Sequence, residues 1–118
     1  MNFKVHVNSW PWGKTMDIIS SGAECCVKLS FEDDNPGVCF LSGLSVLPEH
    51  RRMGFATEVM GVAEQLCEED GIFRIDLSSV SVPFVVQFYK KIGFVPVKEE
   101  DGFIQMYKML KRHEATLH

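Results

Sequence analysis

Two apolar, strand-like runs, Val38 to Val46 and Ile72 to Val80, are joined by a single long amphipathic helix. A connection of that length joins strands that run parallel, and such strand-helix-strand units are right-handed almost without exception. The helix, from about Phe55 to Asp70, carries Phe55, Val59, Val62, Ala63, Leu66 and Cys67 on one stripe, with Glu58, Gln65, Glu68 and Glu69 elsewhere, and Gly71 ends it. Val38 to Val46 is apolar on both faces for much of its length, as expected of a central strand covered on both sides. Gly43 interrupts that strand near its end, where a glycine marks a bulge or the close approach of another backbone.

The rest of the chain reads as strands and hairpins around this unit. Phe3-Lys4-Val5-His6-Val7 alternates as a half-buried strand, with His6 on the solvent side. Trp10-Pro11-Trp12-Gly13 is turn-forming, and no regular element is assigned from there to the Ser20-Ser21-Gly22 break. Its two aromatics suit a cap on the core, a lid or a partner patch, the cap being preferred. Ala23 to Phe31 is a strand with Cys25, Val27, Leu29 and Phe31 at period two, and the turn from Glu32 to Gly37 makes a hairpin with Val38 to Val46. Ile75 and Leu77 mark one side of the Ile72 to Val80 strand, and Arg74, Asp76 and Ser78 the other. Val82 to Ile92 is a helix with Pro83 in its first turn, Phe84, Phe88 and Ile92 at four-residue steps, lysines at its end and Gly93 as its stop. Pro96-Val97 and Phe103 to Leu110 close the sheet around the turn from Lys98 to Gly102, and Lys111 to His118 reads as a frayed tail.

The stretch from Leu44 to Thr57 carries the chemistry. An apolar strand runs into a glycine-bearing basic turn and then directly into a helix. A helix beginning on such a turn presents unpaired N–H groups and the positive end of its macrodipole, which suits a phosphate. Arg51 and Arg52 add charge at that mouth, Gly54 permits positive φ and close backbone approach, and Ala56 keeps the next position small. The turn is neither a Walker loop nor the Gly-x-Gly-x-x-Gly of a dinucleotide fold.

Arg51, Gly54 and Ala56 match Arg/Gln-x-x-Gly-x-Gly/Ala, and this turn resembles the acetyl-coenzyme A signature of the GNAT family of N-acetyltransferases. A second segment, Phe88-Tyr89-Lys90-Lys91-Ile92-Gly93-Phe94, is similar to that family's Leu/Phe-Tyr-x-x-x-Gly-Phe motif and falls at the right distance downstream. The core motifs span residues 38–109 of one domain, 1–118. The resemblance implies an α/β (α+β) fold: a mixed, mainly antiparallel sheet with a splayed central strand and two main helices. It implies acetyl-coenzyme A as cosubstrate, held by Leu44, Ser45 and Val46 on the splayed strand and by Arg51, Arg52, Met53, Gly54, Phe55, Ala56 and Thr57 in the loop. Tyr89 inherits the general acid's role toward the departing thiolate, a phenol being a donor of suitable pKa. Oxyanion stabilisation falls to a backbone N–H near Val46. Asp76 is the first candidate for the base that deprotonates the amine, with Glu49 and His50 next. The sequence departs from the family in two places. About a dozen residues stand where one or two helices normally follow the first strand, and Val82 with Val85 stand where many members have Asn-x-x-Ala.

Composition bounds the alternatives. A chain of 118 residues with 46% hydrophobic and 24% charged residues is one domain with room for one site, and a formal net charge of −4 argues against a nucleic-acid partner. Cys25, Cys26, Cys39 and Cys67 form no Cys-x-x-Cys pair, so neither a metal site nor a disulfide framework is expected. With no apolar run near the ~20 residues of a membrane span and no signal peptide, the reading is a cytoplasmic protein with no membrane association and reduced thiols.

The expectation is acetyl transfer from acetyl-coenzyme A by direct attack of a primary amine, on a small molecule or a protein, in a ternary complex. The alternatives are a non-catalytic acetyl-coenzyme A sensor or partner module, favoured by Val82 and the shortened N-terminal region, and a scaffold that has lost the coenzyme. The Trp10-Pro11-Trp12 stretch also suggests that a second subunit completes that region in a homodimer.

Overall fold

The computed structural model describes residues 2–51 and 53–110. Arg52, expected in the coenzyme loop, and the tail from 111 onward lie outside the described residues. Seven strands form one sheet: β1 (Phe3–Trp10), β2 (Gly13–Ser20), β3 (Cys25–Glu32), β4 (Val38–Val46), β5 (Arg74–Val80), β6 (Val95–Glu100) and β7 (Phe103–Met109). Their order is β1-β2-β3-β4-β5-β7-β6. All neighbours are antiparallel except β4 and β5. Helix α1 (Phe55–Glu69) supplies the crossover between those two, and α2 (Pro83–Lys91) follows β5. The expected mixed, mainly antiparallel sheet with two helices is what the chain forms.

Both helices lie on one face. Lys108 of β7 reaches Glu64 of α1 at 2.8 Å and the carbonyl of Ile92, just past α2, at 2.7 Å. The core between them is built from alternate residues of the central strands: Val27 and Leu29 of β3, Cys39 and Leu41 of β4, Ile75 and Leu77 of β5, Ile104 and Met106 of β7. Val59, Met60, Ala63 and Cys67 of α1 close over it, and Tyr89 is the buried residue of α2. The period of 2.0 in the strands and 3.6 in the helices makes these sets coincide.

Among the described residues, the other sheet face carries no helix. The stretch between β1 and β2, expected to hold no regular element, is a tight hairpin with Pro11 and Trp12 at its tip and Trp10 paired to Gly13. Here a strand stands where the family's helices follow. The tryptophans do not cap the core as expected. Their rings stack at 6.3 Å and 1°, and both are nearly half exposed. The first strand is also longer and more exposed than expected, because it is an edge with a partner on one side only.

The apolar stripe of α2 is wider than the expected one and lacks its first residue. Of that stripe, Phe88 and Ile92 are half-buried against the core, beside Val85, Val86 and the buried Tyr89, while Phe84 is 77% exposed. The fixing contacts are aromatic. The Tyr89 ring meets Phe88 edge to face at 5.3 Å and Phe94 at 5.7 Å, so the turn at Gly93, with φ +103, folds Phe94 back onto the helix.

Candidate active site

The parallel pairing of β4 and β5 runs only from Val38 with Arg74 to Leu41 with Leu77. Beyond it the strands part, so Ser42 to Val46 keep β3 as a neighbour and have lost β5. The cause lies in β4. Between Lys28, paired to Ser42, and Cys26, paired to Ser45, the chain fits Gly43 and Leu44 opposite the single residue Val27. Such a bulge bends its strand and increases the local twist. Gly43 adopts φ +63, a left-handed conformation open to glycine at little cost. The backbone of Ser42 to Val46 therefore has N–H and C=O groups facing an opening at the carboxyl ends of the two parallel strands, where ligands bind in open α/β sheets.

The loop after β4 arrives at the same opening. A short 3₁₀ turn, Pro48–His50, leads to Arg51, whose Nε donates to the carbonyl of Val46 at 3.4 Å and ties the loop to the strand end. Gly54 is the N-cap of α1 with φ +82, and no side chain caps the helix. The first bond within α1 is from Glu58 N–H to the carbonyl of Gly54 at 3.0 Å. The N–H groups of Phe55, Ala56 and Thr57 are thus left without intrahelical partners, with the positive helix end behind them. Met53 and Thr57 are exposed, while Phe55 and Ala56 are half buried.

The space over these groups fits an extended ligand with an anionic end. A Cβ added at Gly43 or at Gly54 would meet nothing within 4 Å. Both glycines thus border open space between the strand end and the start of α1, and a larger residue at either would project into it. Two features brace it. His50 packs edge to face on Phe55 at 5.3 Å, and the carbonyl of Glu24 accepts from Leu47 N–H at 2.9 Å. The Ser20 hydroxyl donates to the Glu24 carboxylate at 2.6 Å and holds its pKa below the usual range.

Tyr89 lies in the core on the helix side of the sheet. Only 7% of it is exposed, and burial pushes its phenol pKa up. A hydroxyl kept protonated is in the state that donates. Asp76 lies on the helix-free face of β5, across from Phe40, one residue pair before the strands part. Its carboxylate pairs with Arg74: Nη2 donates to Oδ2 at 3.1 Å, while Nε stands 2.9 Å from Oδ1 with its N–H directed elsewhere. The structure therefore brings Leu44, Ser45, Val46, Arg51 and the Gly54–Thr57 amides to one mouth, and it sets Tyr89 and Asp76 on opposite faces of the sheet. Glu49 is exposed on the loop.

One pair at this end of the sheet escaped the sequence reading. The Ser81 hydroxyl, immediately past β5, donates to the carboxylate of Glu99 in β6. Glu99 lies within the stretch expected to be a turn, yet β6 continues through Glu100, and two residues of positive φ, Asp101 and Gly102, turn the chain. A cavity of about 510 Å³ lies elsewhere, at the amino end of β4 between Trp10, Lys14, Phe31, Val38 and Asp70. It is at the far end of α1, about 22 Å from the amides at the rise of 1.5 Å per residue, and plays no part in the site. No cluster of three or more His, Cys, Asp or Glu side chains among the described residues could hold a metal ion.

The family model for "Acetyltransferase (GNAT) family" matches residues 25–94, more than half of the chain and the whole of the strand, loop and helix geometry above. The chain belongs to the GNAT acetyltransferase family. Solved GNAT structures share its fold. A PaiA N-acetyltransferase from Thermoplasma acidophilum, in complex with coenzyme A, superposes with a TM-score of 0.70 at 18% identity, over 80% of this chain and 59% of that one. The ribosomal-protein-S18-alanine N-acetyltransferase of Escherichia coli gives 0.69 at 16%, over 88% and 73%. A nourseothricin acetyltransferase gives 0.68 at 17%, over 94% and 86%. These likenesses establish the GNAT architecture, and an acyl-coenzyme A is the cosubstrate that the family membership supports.

Proposed function

We propose that this protein is an N-acetyltransferase that moves the acetyl group of acetyl-coenzyme A to a primary amine by direct attack in a ternary complex. The observation that carries this reading is the opening between β4 and β5, which ends on three helix amides without intrahelical partners and is bordered by two glycines at which an added Cβ would meet nothing within 4 Å among the described residues. The amides of Phe55, Ala56 and Thr57, with Arg51, hold the pyrophosphate, and the free backbone of Gly43 to Val46 pairs with the amide-bearing arm as a further strand would. The coenzyme supplies an activated thioester. A backbone N–H near Val46 faces the carbonyl oxygen as negative charge develops there. Tyr89, protonated through neutral pH, donates to the departing sulfur.

The amine reaches the opening over the helix-free face, where no element stands in its way among the described residues. Asp76 is the only carboxylate in β5 and takes the amine's proton, directly or through water; Glu99 with Ser81 is the second candidate. Solved relatives include one named for an alanine of a ribosomal protein and one for nourseothricin, so protein and small-molecule amines are both in the family's range. A cytoplasmic setting, which supplies acetyl-coenzyme A and keeps the four thiols reduced, completes the proposal.

A second reading has its own observation. The hairpin in place of covering helices leaves the acceptor side open, which suits a module that binds acetyl-coenzyme A without turnover. One experiment separates the two: calorimetric titration with acetyl-coenzyme A, followed in the same sample by thiol release against a panel of amines and N-terminal peptides. Binding with release supports the transferase. Binding without release favours the module, and no binding overturns both.

A further inference from the structure

The two edges of the sheet are built differently. The β6 edge carries Pro96, a register break between Pro96 and Lys98, and the charged run Lys98-Glu99-Glu100. These are the devices by which proteins keep an edge from pairing with another chain. The β1 edge has none of them. Phe3–Trp10 runs eight residues in unbroken register with β2, with no proline and with Lys4 as its only lysine.

Hydrogen-bond counting shows what this edge offers. In a two-residue hairpin the flanking pair exchanges hydrogen bonds, here Trp10 with Gly13, so the even-numbered residues of β1 bond to β2. The bond from Ser21 N–H to the carbonyl of Asn2 at 2.9 Å continues that phase. Phe3, Val5, Val7 and Ser9 then turn their N–H and C=O groups outward, where the described residues give them no strand. The side chains of the same residues lie on the helix face, beyond the strands that α1 covers, with Val5 40% and Val7 55% exposed.

We infer that β1 is a dimerisation edge, on which a second copy of this chain adds its own β1 antiparallel to make one continuous sheet. The occupant follows from the symmetry of the row. About a two-fold axis through His6, Val5 of one copy lies beside Val7 of the other, twice over, and Phe3 beside Ser9. The four valines form one apolar cluster, and the outward N–H and C=O groups meet in hydrogen-bonded pairs. On the opposite face Lys4 meets Asn8, and the two His6 side chains meet across the axis, each with Asp17 beside it in β2. A slip of one residue would put the valines opposite the polar set, and of the even registers that remain only the one centred on His6 pairs every valine with a valine. Both coenzyme openings, between β4 and β5, stay free.

Light scattering over a range of protein concentrations tests this. The expected mass is twice the 13.4 kDa of the chain. Val7→Pro removes one outward N–H and no bond to β2, so it is expected to give a monomer with unchanged acetyl-coenzyme A affinity. Val5→Lys, which leaves the backbone alone, should weaken the dimer at least tenfold if the proline variant fails to fold. His6→Cys should cross-link into a disulfide dimer under mild oxidation faster than the parent chain, because residues facing across the axis form a close, non-hydrogen-bonded pair. A monomeric parent protein, a dimer indifferent to Val5→Lys, or no gain in cross-linking through residue 6 would each overturn the inference.

Discussion

Lys108 and Glu64 form an ion pair at 2.8 Å that links the last strand of the sheet to the helix behind the coenzyme loop. The same ammonium donates to the carbonyl of Ile92, and the lysine side chain packs against Gly93, where an added Cβ would come within 3.0 Å of it. One side chain thus fixes the separation of α1 and α2. Because both partners are about three-quarters buried, Lys108→Met is expected to cost about 1–3 kcal/mol, which denaturant titration will measure, with the acetyl-coenzyme A affinity of the folded fraction retained.

Gly54→Val should act on binding more than on folding. It places a branched side chain at φ +82, which costs about 1–3 kcal/mol of strain, and fills the space in front of the helix amides. Calorimetry is expected to show an acetyl-coenzyme A affinity at least about tenfold weaker, equivalent to about 1.4 kcal/mol. Unchanged affinity would mean that the amides are not the anion site.

Tyr89→Phe keeps the ring and its contacts to Phe88 and Phe94 and removes only the hydroxyl. The coenzyme affinity should hold while kcat falls about 10²- to 10⁴-fold, as for loss of a general acid. Equal losses in binding and turnover would make Tyr89 a packing residue.

The raised pKa of the same phenol sets a pH dependence. In the folded protein Tyr89 keeps its proton to higher pH than in the unfolded chain. Its effect on stability is therefore constant below the ordinary tyrosine pKa of about 10 and turns unfavourable to the folded state as pH rises from there through the folded value. The parent protein should lose stability over that alkaline window faster than Tyr89→Phe, as thermal melts across it will show.

Asp76→Asn and Glu99→Gln assign the base. If Asp76 takes the amine's proton, its amide variant loses about 10²-fold in kcat/KM, while Glu99→Gln retains the parent value. The reverse pattern moves the role to Glu99.

The strand-turn-helix around the coenzyme loop was legible because its signals are local: the apolar run of β4, the glycine at 54, the stripe of α1 and the stop at Gly71 each depend on neighbours in the chain. Gly43 announced the bulge for the same reason. What escaped depends on contacts between distant residues. The amino-terminal hairpin was obscured by Pro11 and Gly13, which read as a break when they form a turn, and by Ile18-Ile19, which blurs the alternation of β2. In α2 the expected stripe holds at Phe88 and Ile92 and fails at Phe84, because the fold of Phe94 onto Tyr89 draws in the Val85, Val86 and Tyr89 side instead of the first turn. The approach of Ser81 to Glu99 required the register of β6, which no local signal carries.

The short parallel contact between β4 and β5 also bears on how the molecule assembles. On either side of it lie meanders whose strands are neighbours in sequence, β1 to β4 and β6 to β7, and these can form early because the loops they close are short. The Val38–Leu41 pairing to Arg74–Leu77 must wait for α1 to bring its ends together. The opening between β4 and β5 adjoins that pairing, which is expected to close last and loosen first. In hydrogen exchange, the amides that pair Val38–Leu41 with Arg74–Leu77 should report the opening of that seam before the hairpins give way, and a bound acetyl-coenzyme A beyond its end would act as the missing stitch.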